Sequence, residues 1–174
     1  MDKALKDKSK FLALVLRHQP EKIGITLDKN GWADVSALGA HFSPDELRAI
    51  VSDNEKKRYE FDASGLRIRA VQGHSVDVDV ELEKLRPPHT LYHGTKEEFL
   101  PAIRKGGLQK MNRLHVHLSE DVDTAKLVAD RRKGKSVILV IDAMQMHAKN
   151  FKFYRSKNGV WLADAIPYEF ITVK

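Results

Sequence analysis

Apolar residues fall at helical spacing between Ser9 and His18, where Phe11, Leu12, Leu14, Val15 and Leu16 recur and Gln19-Pro20 ends the run. The pattern predicts a short helix with Arg17 and His18 on its last turn. Ile25-Thr26-Leu27 reads as a short strand and Asp28-Lys29-Asn30-Gly31-Trp32 as the turn after it, Asn-Gly supplying a positive φ cheaply. Ala33 to Leu38 is predicted as a second helical piece. Ser43-Pro44-Asp45-Glu46 starts a third helix, with Ser43 as N-cap, Pro44 at the first position and Glu46 closing a capping box, and this helix runs to about Ser52. Tyr59-Glu60-Phe61 and Leu66 to Ala70 then alternate around Asp62-Ala63-Ser64-Gly65, which predicts a hairpin. Three short helices and a hairpin describe a winged helix-turn-helix, a module used for nucleic acid and for plain protein contacts alike.

From Val76 to Leu85 acidic and apolar residues alternate, and Arg86-Pro87-Pro88-His89 interrupts them, so a lobe boundary is expected near 86–89, dividing the chain into 1–86 and 89–174. Beyond it, Leu91-Tyr92, Val116-His117-Leu118, Val137 to Ile141, Val160-Trp161-Leu162 and Phe170 to Val173 read as strands. Helices are predicted from Lys96 to Lys105, closed by Gly106-Gly107, and from Asp123 to Arg132. Their order is not a strict βαβ alternation, which points to an α+β fold rather than a doubly wound sheet.

Length allows one ordinary core or two small lobes sharing a cleft, since the chain has 174 residues of which 42% are hydrophobic. Thirty Lys and Arg against 24 Asp and Glu leave a formal charge of +6, which favours a polyanionic partner. The chain has no cysteine, which excludes disulfides, thiolate metal ligands and a cysteine nucleophile. No apolar run reaches the roughly 20 residues of a membrane span, and Met1 to Lys10 is charged without the apolar core of a signal peptide. A soluble, cytoplasmic protein with no membrane partner is expected.

The chain lacks GxGxxG, P-loop and HExxH motifs and any Cys/His metal pattern, so no metal is expected. His115 and His117 would share a strand face but have no third ligand near them in sequence. Tyr92-His93-Gly94-Thr95 sets a histidine, a glycine and a hydroxyl at the end of a strand, where a ligand could approach the backbone or where a turn glycine could simply adjoin a surface histidine. Gln72-Gly73-His74-Ser75 is open in the same way, as a cleft lining or a linker. Arg17-His18, Lys56-Lys57-Arg58 at the opening of the hairpin, Arg113 and Arg131-Arg132-Lys133-Gly134-Lys135 are recurring cationic clusters. Each alone is more often a solvated face than a site, yet arginine is the residue for clamping a phosphate through two hydrogen bonds.

Taken in order, Leu16-Arg17-His18, Gly31-Trp32, Lys57-Arg58-Tyr59, Ile68 to Ser75, Leu91 to Thr95, Val116 to Ser119 and Asn158 to Leu162 resemble the RNA 2′-phosphotransferases. The resemblance spans the chain from about Ser9 to Phe170. It implies an amino-terminal winged-helix lobe for RNA and a carboxy-terminal lobe of ADP-ribosyltransferase type, with a split, mostly antiparallel sheet, that holds NAD. The family's essential Arg-His-Arg-Arg set falls on Arg17, His18, Arg58 and Arg113. His93, with Gly94 and Thr95 beside it, matches the first motif of the NAD lobe, and His117 and Ser119 match the second. Asn158 and Val160 belong to the third, Val160 standing where transferases that act on proteins often carry a glutamate. A phosphate dianion is already a competent nucleophile and does not need that carboxylate.

The implied reaction has two steps. The RNA 2′-phosphate displaces nicotinamide from NAD, and a ribose hydroxyl of the attached ADP-ribose then attacks the phosphate, releasing RNA with a 2′-hydroxyl and ADP-ribose 1″,2″-cyclic phosphate. Guanidinium groups can stabilise the charge that builds on the phosphate oxygens. The implied partner is an RNA bearing an internal 2′-phosphate, tRNA-like, bound by a monomer. The sequence departs from the family pattern at Arg132-Lys133-Gly134, where Arg-His-Gly is expected; Arg132 is kept as an NAD or phosphate contact, and Lys157 adds a cation before Asn158-Gly159. Two other readings remain open: an ADP-ribosyltransferase that caps terminal phosphates of RNA or DNA, and a non-enzymatic winged-helix nucleic-acid binder.

Overall fold

The Asp2 carboxylate accepts the N–H of Leu5 and so starts the first helix, α1 (Lys3–Arg17), well before the apolar run that predicts it. A computed structural model describes residues 2–53 and 57–174. Lys56, in the predicted basic opening of the hairpin, lies outside them. The described chain divides into two compact units, Met1–Glu81 and Leu82–Lys174.

In the first unit α1 buries Leu12, Val15 and Leu16 against α2 (Pro44–Ser52), whose Leu47 and Ile50 are likewise closed to solvent. Each such side chain contributes roughly 1.5–3 kcal/mol by leaving water. The Ser43 hydroxyl and Glu46 carboxylate form the predicted capping box. Between these helices the expectation changes. Ile25 to Leu27 is not a strand, because its backbone finds no ladder partner, and the Asp28 carboxylate accepts from Asn30 and Trp32 to fold the turn that follows. Ala33 to Leu38 is a two-residue strand, β1 (Ala33–Asp34), and a single 3-10 turn rather than a helix, since Ala33 and Asp34 pair with Ile68 and Arg67. The hairpin forms as predicted from β2 (Tyr59–Phe61) and β3 (Arg67–Ala70), with Tyr59 opposite Ala70 and the sheet order β1-β3-β2. Its arginines are engaged internally. Arg67 pairs with Asp28 and Asp62, while Arg69, 4% exposed, holds Glu60 and Glu81 and lies over the Trp32 ring.

The second unit opens with β4 (Glu83–Lys84) and β5 (Thr90–Lys96). Lys96 ends this strand rather than starting a helix; its buried ammonium donates to the Gly134 carbonyl and the Ser136 hydroxyl. A single turn then leads to α3 (Leu100–Gly106), followed by β6 (Leu108–Gln109), β7 (Val116–Leu118), α4 (Val122–Ala129) and β8 (Ser136–Asp142). The helix α4 starts at the Asp121 cap and stops short of the predicted Arg132, at the turn that Asp130 begins. The chain finishes with α5 (Ala143–Ala148), β9 (Phe153–Arg155), β10 (Trp161–Ala163), β11 (Ala165–Ile166) and β12 (Ile171–Val173). Phe170 belongs to the turn before the last strand. Strand order is β12-β8-β5 in one sheet, β4-β9-β10-β7 in another, with β11-β6 a third pair, and each of these pairings is antiparallel. The architecture is mixed α+β with several small antiparallel sheets. Leu91, Leu139, Ile141, Met146 and Phe153 sit at the centre of its core.

Candidate active site

Arg17 ends α1 and His18 is its C-cap, so the helix delivers both side chains at a terminus where carbonyls lack intrahelical donors. The segment after β3 supplies the missing donor: the Ser75 N–H reaches the Arg17 carbonyl at 2.9 Å, and the Ser75 hydroxyl lies 2.9 Å from His18 Nδ1. Arg58 enters from the start of the hairpin, where its carbonyl accepts from Val71. Tyr59, which donates to the Ser9 carbonyl at 2.6 Å, has its phenol raised by burial and held back in part by that hydrogen bond and then by the charges of Arg17 and Arg58. Arg17, His18 and Arg58 therefore gather in the first unit. His74, 1% exposed, is packed near Arg17 and His18, with the Gly31 backbone against its ring.

Burial, then the cations of Arg17, His18 and Arg69, push His74 from 6.5 down to about 4. The unfolded chain binds a proton there as pH falls below 6.5, and the folded chain does so only near 4. Stability from this group is thus present above 6.5 and is lost as pH falls, by up to about 1.4 kcal/mol per pH unit. In urea unfolding at pH 7, 6 and 5, His74→Gln is expected to flatten that slope, by nearly this amount between pH 6 and 5 and by about half of it between pH 7 and 6. A slope equal to that of the unsubstituted protein would disprove the assignment.

In the second unit three motifs converge on neighbouring strands. Tyr92 of β5 bridges to Ser119, and His93 Nδ1 lies 2.8 Å from the His117 carbonyl. A carbonyl can only accept, so Nδ1 carries the hydrogen and Nε2 of the neutral ring is an acceptor. Burial lowers the His93 pKa, the His117 carbonyl offsets this in part, and Arg113 lowers it further. Strand β10 pairs with β7 through Leu162 opposite His117 and Trp161 opposite Leu118, a register that carries Val160 toward Ser119 at the end of the second motif. Arg113 donates from Nη1 to His117 Nδ1 at 2.9 Å. Loss of water around its guanidinium, then the like charges of Arg132 and Arg131, pull Arg113 below the usual arginine value, although the residue as a whole stays open to solvent. No carboxylate among the described residues pairs with it. Gly94 and Thr95 continue β5 opposite Ile138 and Val137. Asn158 and Val160 sit in the turn organised by Ser156, whose hydroxyl accepts from the Val160 N–H.

The structure thus brings Arg17, His18 and Arg58 together in one unit, and His93, Arg113, His117, Ser119 and Val160 in the other. The His115 ring packs on Tyr154, and its Nε2 faces Asp164 at 3.8 Å. Among the described residues no three His, Cys, Asp or Glu side chains group as metal ligands, and no helix is long and apolar enough to cross a membrane.

A family model described as RNA 2′-phosphotransferase, Tpt1 / KptA family, matches residues 3–165. The chain belongs to that family. Curated relatives named "Probable RNA 2′-phosphotransferase" align over nearly their whole length. That of Fusobacterium nucleatum is 49% identical, covering 93% of this chain and 94% of its own. That of Hahella chejuensis is 48% identical over 99% and 96%, and that of Burkholderia pseudomallei 50% over 94% and 92%. Membership in the RNA 2′-phosphotransferase family agrees with the resemblance drawn from the ordered motifs. What sequence reasoning left undecided was Gln72 to Ser75, although the motif itself was in view. Its partners at the end of α1 are distant in sequence, and no local pattern names them.

Proposed function

We propose that the chain removes an internal 2′-phosphate from RNA by passing it to the ADP-ribose half of NAD, which is consumed as co-substrate. The observation that supports this most directly is the family match over residues 3–165. In this reading the first unit is the winged-helix RNA lobe and the second the ADP-ribosyltransferase-like NAD lobe. Arg17 and His18 grip the 2′-phosphate and Arg58 contributes a third positive group. The second unit's polar groups suit a dinucleotide: His93 Nε2 can accept from a ribose hydroxyl, Thr95 and Ser119 offer hydroxyls, and Arg132 offers a guanidinium to the pyrophosphate. His117, Gly94, Asn158 and Val160 line the nicotinamide end. NAD supplies a ribose carbon with a good leaving group. The protein's part is to orient two anions and neutralise the charge they bring together.

The test is incubation with a short RNA bearing one internal 2′-phosphate, with and without NAD, followed by mass analysis. Phosphate loss only in the presence of NAD, with ADP-ribose cyclic phosphate released, is expected. An unchanged RNA, with ADP-ribose instead attached to terminally phosphorylated RNA or DNA, would replace this reading with the capping one.

A further inference from the structure

The loop Gln72-Gly73-His74-Ser75 has no ligand contact assigned to it above, yet it is fastened to the end of α1 at several atoms. The N–H groups of Ser75 and Val76 both point at the Arg17 carbonyl, at 2.9 and 3.4 Å. Gly73 has a φ of +89°, and a Cβ built on it would lie 3.5 Å from Arg17 Nη1, so the guanidinium rests directly on the glycine. His74 fills the space beneath as a buried ring. The Ser75 hydroxyl meets His18 at Nδ1.

We propose that this loop positions the Arg17-His18 pair, and that the Ser75 hydroxyl fixes the His18 imidazole so that the hydrogen offered to the RNA phosphate is on Nε2. This rests on the reading of His18 as a phosphate contact. A hydroxyl can donate or accept, which is why serine suits the task. When His18 is neutral, the Ser75 O–H donates to Nδ1 and the ring hydrogen is held on Nε2. When His18 is protonated, Nδ1–H donates to Ser75 Oγ and Nε2 still carries a hydrogen. Without the hydroxyl, a neutral ring can place its hydrogen on Nδ1 and turn a lone pair toward a phosphate oxygen. The backbone bond to Arg17 anchors the serine independently of its hydroxyl, so removing the hydroxyl leaves the loop in place. Ser75 is thus a positioning residue acting through His18.

The experiment compares Ser75→Ala, Ser75→Thr and His18→Ala in the full chain, measuring kcat and KM for the 2′-phosphorylated RNA at saturating NAD, melting temperature, and the ring nitrogen shifts of His18 by NMR. Ser75→Ala is expected to lose about tenfold in kcat, the equivalent of one hydrogen bond, with little change in KM or melting. Ser75→Thr is expected to restore most of the rate. Neutral His18 should carry its hydrogen on Nε2 in the unsubstituted protein and be divided between tautomers in Ser75→Ala. An unchanged rate in Ser75→Ala, or a loss that threonine does not recover while the tautomer is unaltered, would overturn the inference. Should Ser75→Ala melt early, the tautomer of the unsubstituted protein decides: hydrogen on Nδ1 of the neutral ring refutes it. Full activity in His18→Ala would instead refute the phosphate-contact reading itself, so the two failures are distinct.

Discussion

Gly94→Ala is expected to destabilise the second unit by at least about 3 kcal/mol, the upper end for an overpacked core. Its φ is ordinary, so backbone strain is not the cause. A Cβ at this position would lie 1.9 Å from the Ala125 carbonyl oxygen and 2.8 Å from its carbon, with the Ala129 methyl at 3.0 Å. The colliding atoms are helix backbone and cannot rotate aside, so α4 would have to lift from β5. The two buried residues of α4, Ala125 and Ala129, are both alanines on one face, which shows how close the two elements come. Lifting α4 would also displace the turn that follows it, from which Arg132 extends, and would disturb the strand that carries His93 and Thr95. Urea unfolding should show a lowered midpoint, and NAD-dependent activity should fall with it. Adding Ala129→Gly should not rescue the variant, because it relieves the lesser contact and leaves the carbonyl. A midpoint equal to that of the unsubstituted protein would show that α4 yields freely.

That close approach is also a measure of what the sequence conceals. Gly94 is legible as a glycine in a strand-end motif, where approach of a ligand or a turn are the available explanations; the helix that crosses it is thirty-odd positions away in the chain. Elements with a strong local signal were readable: the capping box at Ser43, the hairpin around Asp62 to Gly65, and the β-branched run of β8. Two-residue strands such as β6 and β11, and the six-residue α5, are too short to show a period, and β9 gave no sign because its partners β4 and β10 define it. The same distinction holds at the site. Arg17, His18, Arg58 and Arg113 stand out as cations in ordered motifs. That Arg113 bonds His117, and that Ser75 bonds His18, depends on tertiary placement.

Arg113→Ala should slow phosphate removal about a hundredfold or more, the usual loss of some 3 kcal/mol when one oxyanion contact is deleted. The defect is expected in the second step, with phospho-ADP-ribosylated RNA accumulating while its formation continues. The reason lies in where charge develops: attack of the ribose hydroxyl on phosphorus loads the non-bridging oxygens, and a guanidinium stabilises them without surrendering a proton. Arg113 suits this task because no carboxylate among the described residues neutralises it, because Arg132 and Arg131 reinforce its preference for an anion, and because its bond to His117 Nδ1 aims the head group. Arg113→Lys keeps the charge but not the planar fork, so it should recover only part of the rate. Arg58→Ala is expected to resemble Arg113→Ala in the step it impairs. Rapid-quench sampling of labelled RNA separates the two steps, and a defect confined to the first, with no intermediate at any time, would remove Arg113 from the role assigned to it.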